Sequence, residues 1–162
     1  MIYLSLGSNM GDRMALLAEA RERLAQETGV EVVGESPIYE TEAWPNLNQD
    51  PFLNQVLALE TSLPPHALLE FCQSIEADMG RRSKGDNAPR PIDIDILLHN
   101  GDAVDLPDLK IPHPRMAARR FVLVPLLDLA PDLADPVTGR KYRDILAELK
   151  DNHSVNPFHQ TQ

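Results

Sequence analysis

The sequence predicts an α+β fold in which helices pack on an antiparallel sheet, and three observations predict it. Residues 52–60 and 92–99 alternate side-chain character with the two-residue period of a strand. Residues 16–24 and 68–79 carry apolar stripes at helical spacing, and glycine or proline punctuates the boundaries between these runs.

The elements follow in order. Ile2 to Leu6 reads as a first strand, and Gly7-Ser8-Asn9-Met10-Gly11 turns it into a helix capped near Asp12. Leu16, Leu17, Ala20 and Leu24 give that helix its apolar stripe, and Gly29 ends it. A second strand covers residues 30–39, interrupted by Gly34 and Pro37. The segment 42–51, with Trp44-Pro45-Asn46, is long for a hairpin connection, which marks it as a functional loop. Residues 52–60 form the third strand. Pro64 and Pro65 open a second helix whose Leu68, Leu69, Cys72, Ile75 and Met79 share a face, and Gly80 closes it. With the strand at 92–99 the order becomes β-α-β-β-α-β, the ferredoxin-like arrangement. A C-terminal extension adds an extended piece at 109–111, a helical segment at 124–129, a turn at Thr138-Gly139 and a helix at 142–150. Residues 1–150 are expected to form a single domain and residues 151–162 a flexible tail.

At 162 residues, 43% of them hydrophobic, the chain can close a core of its own. Its one cysteine, Cys72, excludes an internal disulfide framework. The start Met1-Ile2-Tyr3-Leu4-Ser5 lacks the pattern of a signal peptide, and no apolar run is long enough to span a bilayer, so a soluble cytoplasmic protein is expected. The net charge of −10, from 25 acidic and 15 basic residues, opposes a nucleic-acid role, which needs a broad cationic footprint. Arg81, Arg82, Lys84, Arg90, Arg115, Arg119 and Arg120 nevertheless cluster in two short segments, as local capture of a small anion requires. A nucleotide fits better than a nucleic acid.

The most informative stretch is Ala88-Pro89-Arg90-Pro91-Ile92-Asp93-Ile94-Asp95-Ile96. In a strand Asp93 and Asp95 point to one face about 6.5 Å apart, at ~3.3 Å rise per residue, while Ile92, Ile94 and Ile96 face the core. Two adjacent carboxylates repel and call for Mg²⁺, arginine or a proton. The alternative is a solvated edge strand, but the cationic loop 80–87 beside it favours a polyphosphate and Mg²⁺ site. On the third strand Phe52 and Asn54 share a face. A ring beside an amide can stack on a planar heterocycle and read its edge, although core packing and loop capping would also explain the pair. His113, between two prolines in Ile111-Pro112-His113-Pro114-Arg115-Met116, is held six residues before Arg119 and fits a phosphate contact. Glu76 lies on the second helix, either pairing with a loop arginine or solvated. Gly7-Ser8-Asn9 lacks a phosphate-loop pattern and reads as a plain strand-to-helix turn.

With these segments assembled, the chain resembles the 6-hydroxymethyl-7,8-dihydropterin pyrophosphokinase family over nearly its whole length. The carriers are Leu6-Gly7-Ser8-Asn9 with Gly11-Asp12, Tyr39-Glu40-Thr41, Phe52-Leu53-Asn54, Ile75-Glu76 with Gly80-Arg81, Pro89 to Asp95, and Pro112 to Met116 through Arg119 and Phe121. The resemblance implies diphosphate transfer from ATP to the pterin hydroxymethyl oxygen, with release of AMP, by a monomer that needs no nucleic acid and no membrane. It implies two Mg²⁺ ions on Asp93 and Asp95, with Asp95, Asp93, Arg81 and Arg90 in the catalytic set. Thr41, Glu42, Trp44, Phe52, Asn54 and Phe121 would bind the pterin. Glu76, Arg81, Arg82, Lys84, Arg90, Ile96, His113, Arg115 and Arg119 would bind ATP, with Arg82 and Lys84 rivals for a second lid cation. Segments 42–51 and 81–90 would close over the substrates. Where many members have Trp-Gly before the Pro-Arg pair, this chain has Asn87-Ala88. A non-catalytic ferredoxin-like ligand-binding module is the competing reading.

Overall fold

The computed structural model describes residues 1–41, 50–80, 91–150 and 154–158. Alternating apolar residues build the central strands β1 (Ile2–Ser8), β4 (Phe52–Thr61) and β5 (Asp93–His99). Between β1 and β4 lie helix α1 (Arg13–Gln26) and two strands, β2 (Val30–Glu35) and β3 (Tyr39–Thr41). Helix α2 (Pro65–Asp78) connects β4 to β5. The hairpin strands β6 (Val104–Leu106) and β7 (Leu109–Ile111) follow, then a 3₁₀ turn at Met116–Ala118, helices α3 (Arg120–Leu129) and α4 (Tyr142–Glu148), and β8 (Val155–Pro157). Among the described residues no helix is long and apolar enough to cross a membrane.

The main sheet runs β5-β1-β4-β3-β8, with β2 also pairing with β4, and its pairs are antiparallel. Counting β2 and β3 as one broken strand gives the ferredoxin-like order. The break falls at Pro37, where the sequence expects an interruption, because proline has no N–H for the ladder. Ser36 bridges the gap: its N–H donates to the Val56 carbonyl and its Oγ accepts from the Val56 N–H, both at 2.9 Å. Gln55 Nε2 donates to the Ser36 carbonyl at 2.7 Å, so these backbone groups at the break are satisfied.

Each sheet face has its own core. Leu17, Ala20 and Leu24 of α1 and Leu68, Cys72 and Ile75 of α2 pack on Leu4, Leu6, Leu53, Leu57, Ile94 and Ile96. On the opposite face Val122, Leu123 and Leu126 of α3, with Tyr142 of α4, cover Tyr3, Val56, Ala58 and Leu97. Helix α3 begins earlier than the expected 124, because burying Val122, Leu123 and Leu126 together outweighs the one ladder bond that Pro125 removes. The expected tail also changes. Residues 155–157 are strand β8, paired with β3, and Phe158 packs against the α1 and α2 core. Beyond residues 154–158, the stretch 151–162 lies outside the described residues.

Candidate active site

Helices α3 and α4 cover only part of the second sheet face, and the polar residues of four strands gather on that face. The register aligns Asp93, Gly7 and Asn54 in one cross-strand row and Asp95, Ser5 and Val56 in the next. Directly opposed residues share a face. Asp93 and Asp95 therefore stand on the same face as the ring-and-amide strand, one strand away across Gly7 and Ser5, and the alternate Ile94 and Ile96 are 5% and 4% exposed in the opposite core. The alternation is the one expected from sequence. For Ile96 it leaves no side-chain surface for ATP, so only its main chain could make such a contact.

Asn54 is buried and its Nδ2 donates to Thr41 Oγ1 at 2.6 Å, which fixes the carboxamide against β3. Gly7 is a strand residue and not part of a turn. A Cβ placed there would meet Asn54 Oδ1 at 3.1 Å and the Phe52 ring at 3.7 Å. The bare peptide thus leaves room for both groups. A glycine within a strand pattern was the available signal for this close approach.

The pair of aspartates is braced from behind. Glu76 belongs to the core-facing stripe of α2, is 4% exposed, and its Oε2 accepts the Ile94 N–H at 2.9 Å. A solvated surface glutamate is therefore ruled out, and the carboxylate pins the peptide between Asp93 and Asp95. Charge-assisted hydrogen bonds of this kind contribute about 1.5–3 kcal/mol. Glu76→Ala should accordingly lower the melting temperature by several degrees, with Glu76→Gln, which keeps an acceptor, losing less. Differential scanning calorimetry of the two variants checks the order.

At the margin, the Ile111–Pro112 peptide bond is cis and the His113 N–H donates to the Leu97 carbonyl at 3.0 Å, tying the histidine loop to β5. Burial holds the His113 imidazole below its ordinary value; Asp95 opposes this, and Arg119 and Arg115 add to it. His113 Nδ1 accepts the Arg115 N–H at 3.2 Å, so a neutral ring carries its proton on Nε2, where it can donate to an anion. Burial also lowers Arg119, with Asp95 again opposing and Arg115 adding to it, so His113 and Arg119 both lie within the field of the same carboxylate. The Arg119 guanidinium lies 5.5 Å from the Phe121 ring centroid, in the first turn of α3. Arg115 is exposed. Glu42, Trp44, Arg81, Arg82, Lys84 and Arg90, and with them most of both expected lids, lie outside the described residues.

The fold is thus of the ferredoxin-like α+β class, with acidic, amide and aromatic side chains brought to one sheet face. A family profile described as 7,8-dihydro-6-hydroxymethylpterin-pyrophosphokinase matches residues 3–131, and the chain belongs to that family. Among similar proteins is the 2-amino-4-hydroxy-6-hydroxymethyldihydropteridine pyrophosphokinase of Methylorubrum extorquens, 48% identical over 147 residues, covering 91% of this chain and 92% of the relative. The enzyme of the same name from Aquifex aeolicus is 40% identical over 157 residues, covering 97% of this chain and 94% of that one. Among solved structures, an HPPK-DHPS protein in complex with substrates has a TM-score of 0.72 at 15% identity, covering 90% of this chain and 42% of its own. The Plasmodium falciparum HPPK-DHPS with pteroate has a TM-score of 0.70 at 16% identity, covering 91% and 42%. The chain thus spans less than half of each of those two chains, which support the fold alone.

Proposed function

We propose that the open sheet face is where this chain brings ATP and the pterin together. As a member of its family the chain is a pyrophosphokinase of folate biosynthesis: it moves diphosphate from ATP to the hydroxymethyl group of 6-hydroxymethyl-7,8-dihydropterin and releases AMP. The non-catalytic binding module is not favoured, since the relatives are named as enzymes. The observation that carries the assignment of the site is the shared row Asp93–Gly7–Asn54, which sets the acidic pair on the same sheet face as the ring and amide with only a glycine between them.

In this reading Phe52 stacks on the pterin with Phe121 on its other side, and Asn54 and the Thr41 main chain read its edge, continued by Glu42 and Trp44. His113 through Nε2–H, with Arg115 and Arg119, holds phosphate oxygens, and Arg81, Arg90 and one of Arg82 and Lys84 complete the cationic set. Glu76 steadies β5 from the core and orients a loop arginine. Asp93 and Asp95 suit Mg²⁺ because they offer hard oxygen donors on one strand face. Two Mg²⁺ ions bound there would neutralise triphosphate charge and make the β-phosphorus a better electrophile. Asp95, the more exposed of the pair, takes the hydroxymethyl proton in this reading as the oxygen attacks in line. The rows of the sheet supply proximity, and segments 42–51 and 81–90 exclude water. The chain acts as a cytoplasmic monomer on these small molecules.

The test is product analysis with ATP, the reduced pterin and Mg²⁺. AMP and the pterin diphosphate should form in equal amounts, and a chelator in excess of Mg²⁺ should reduce the rate to background. Release of ADP in place of AMP would refute the reaction.

A further inference from the structure

The segment expected to be a tail returns to the sheet beside the residues assigned to the pterin. Strand β8 pairs with all three residues of β3, Tyr39 opposite Pro157, Glu40 opposite Asn156 and Thr41 opposite Val155, and the Phe158 N–H donates to the Ile38 carbonyl at 2.8 Å. A three-residue strand held on one side only would be marginal, and β8 supplies the second side. The arrangement is locked by Arg13 in the first turn of α1. Its Nη1 donates to Glu40 Oε2 at 2.8 Å and to the Pro51 carbonyl at 2.9 Å, and its guanidinium lies 5.5 Å from the Phe158 ring centroid. One side chain therefore joins β3, the residue before β4 and the C-terminal segment. Thr41 ends β3 and Phe52 begins β4, so both stems of the connection between them are tied to a single cation.

We infer that β8 and Arg13 form a positioning clamp for the pterin subsite. The clamp holds Thr41 against Asn54, so that the carboxamide presents one fixed pattern of donor and acceptor. Neither Arg13 nor Phe158 touches the substrate in this scheme; both act through β3. The inference rests on the proposed role of Asn54 and Thr41 in reading the pterin. A brace of purely structural purpose would lower stability without favouring one substrate over the other.

The experiment uses the full chain with Phe158→Ala or Arg13→Gln, and Phe158→Tyr as the variant that keeps the ring. Two readouts are taken: hydrogen exchange of the Asn54 side-chain amide by NMR, and the KM for each substrate. Loss of the clamp should speed Asn54 exchange and raise the pterin KM roughly tenfold each, a modest share of what ångström-scale misplacement can cost. The KM for ATP, kcat at saturating pterin and the exchange of β1 and β5 amides should stay within about twofold, because those strands lie away from the clamp. Phe158→Tyr should match the wild type. Unchanged Asn54 exchange, or equal rises in both KM values, would overturn the clamp. Failure of the unaltered chain to consume the pterin would instead sink the proposed function, and Asn54 exchange would still decide whether the clamp exists.

Discussion

Asp95→Ala is expected to lose turnover by at least about a thousandfold while folding like the wild type. A factor of that size corresponds to roughly 4 kcal/mol of transition-state stabilisation, the scale on which charge placed at a reacting phosphoryl group acts. Little stability should be lost, because Asp95 is exposed and its truncation opens no cavity. Removing this carboxylate relieves its repulsion with Asp93 but also loses its attraction to Arg119, so the melting temperature without Mg²⁺ should stay within a few degrees of the wild type. Asp95→Asn, which keeps the shape and removes the charge, should be nearly as inactive. AMP formation together with a thermal melt measures both arms. Wild-type turnover in either variant would reject the role given to the pair.

The second large effect is expected at Asn54. Its carboxamide is 4% exposed and bonded to Thr41 at 2.6 Å, so Asn54→Ala removes an oriented donor and acceptor together and leaves the Thr41 hydroxyl without that partner. Sites built to hydrogen-bond a ligand discriminate strongly because unpaired buried groups cost about 1–3 kcal/mol each. The kcat/KM for the pterin should fall on the order of a hundredfold, about 2.7 kcal/mol, with the affinity for an ATP analogue little changed. Titration calorimetry with each ligand separates the two. An equal loss for both ligands would show that Asn54 supports the sheet and does not read the pterin.

How much of this was legible in the sequence depended on the range of the interaction. Strand β5 announced itself through isoleucine and aspartate alternation, and Asp93 and Asp95 are on the same face because a pleat leaves them no other choice. The stripes of α1 and α2 were equally local, and Leu17, Leu24, Leu68 and Cys72 are buried where their spacing puts them. Pro37 marked the break between β2 and β3 for the same reason. Cross-strand neighbours were not legible. Nothing near Gly7 in the chain says that it lies between Asp93 and Asn54, and Glu76 could not be distinguished from a surface residue until α2 was docked behind Ile94. Strand β8 was missed because a short polar segment with few apolar residues has the composition of a tail, and it is ordered by long-range pairing with β3. The start of α3 was placed too late, since proline is a strong local stop and tertiary burial overrode it.

Among the described residues strand β5 forms one border of the sheet, a position where open backbone groups could recruit another molecule. Here the Ile94 donor is already taken by Glu76 and the Leu97 acceptor by the His113 amide. An approaching strand would also meet two anionic side chains projecting from the same short stretch. The contacts that orient the acidic pair thereby also oppose the addition of a further strand at this border.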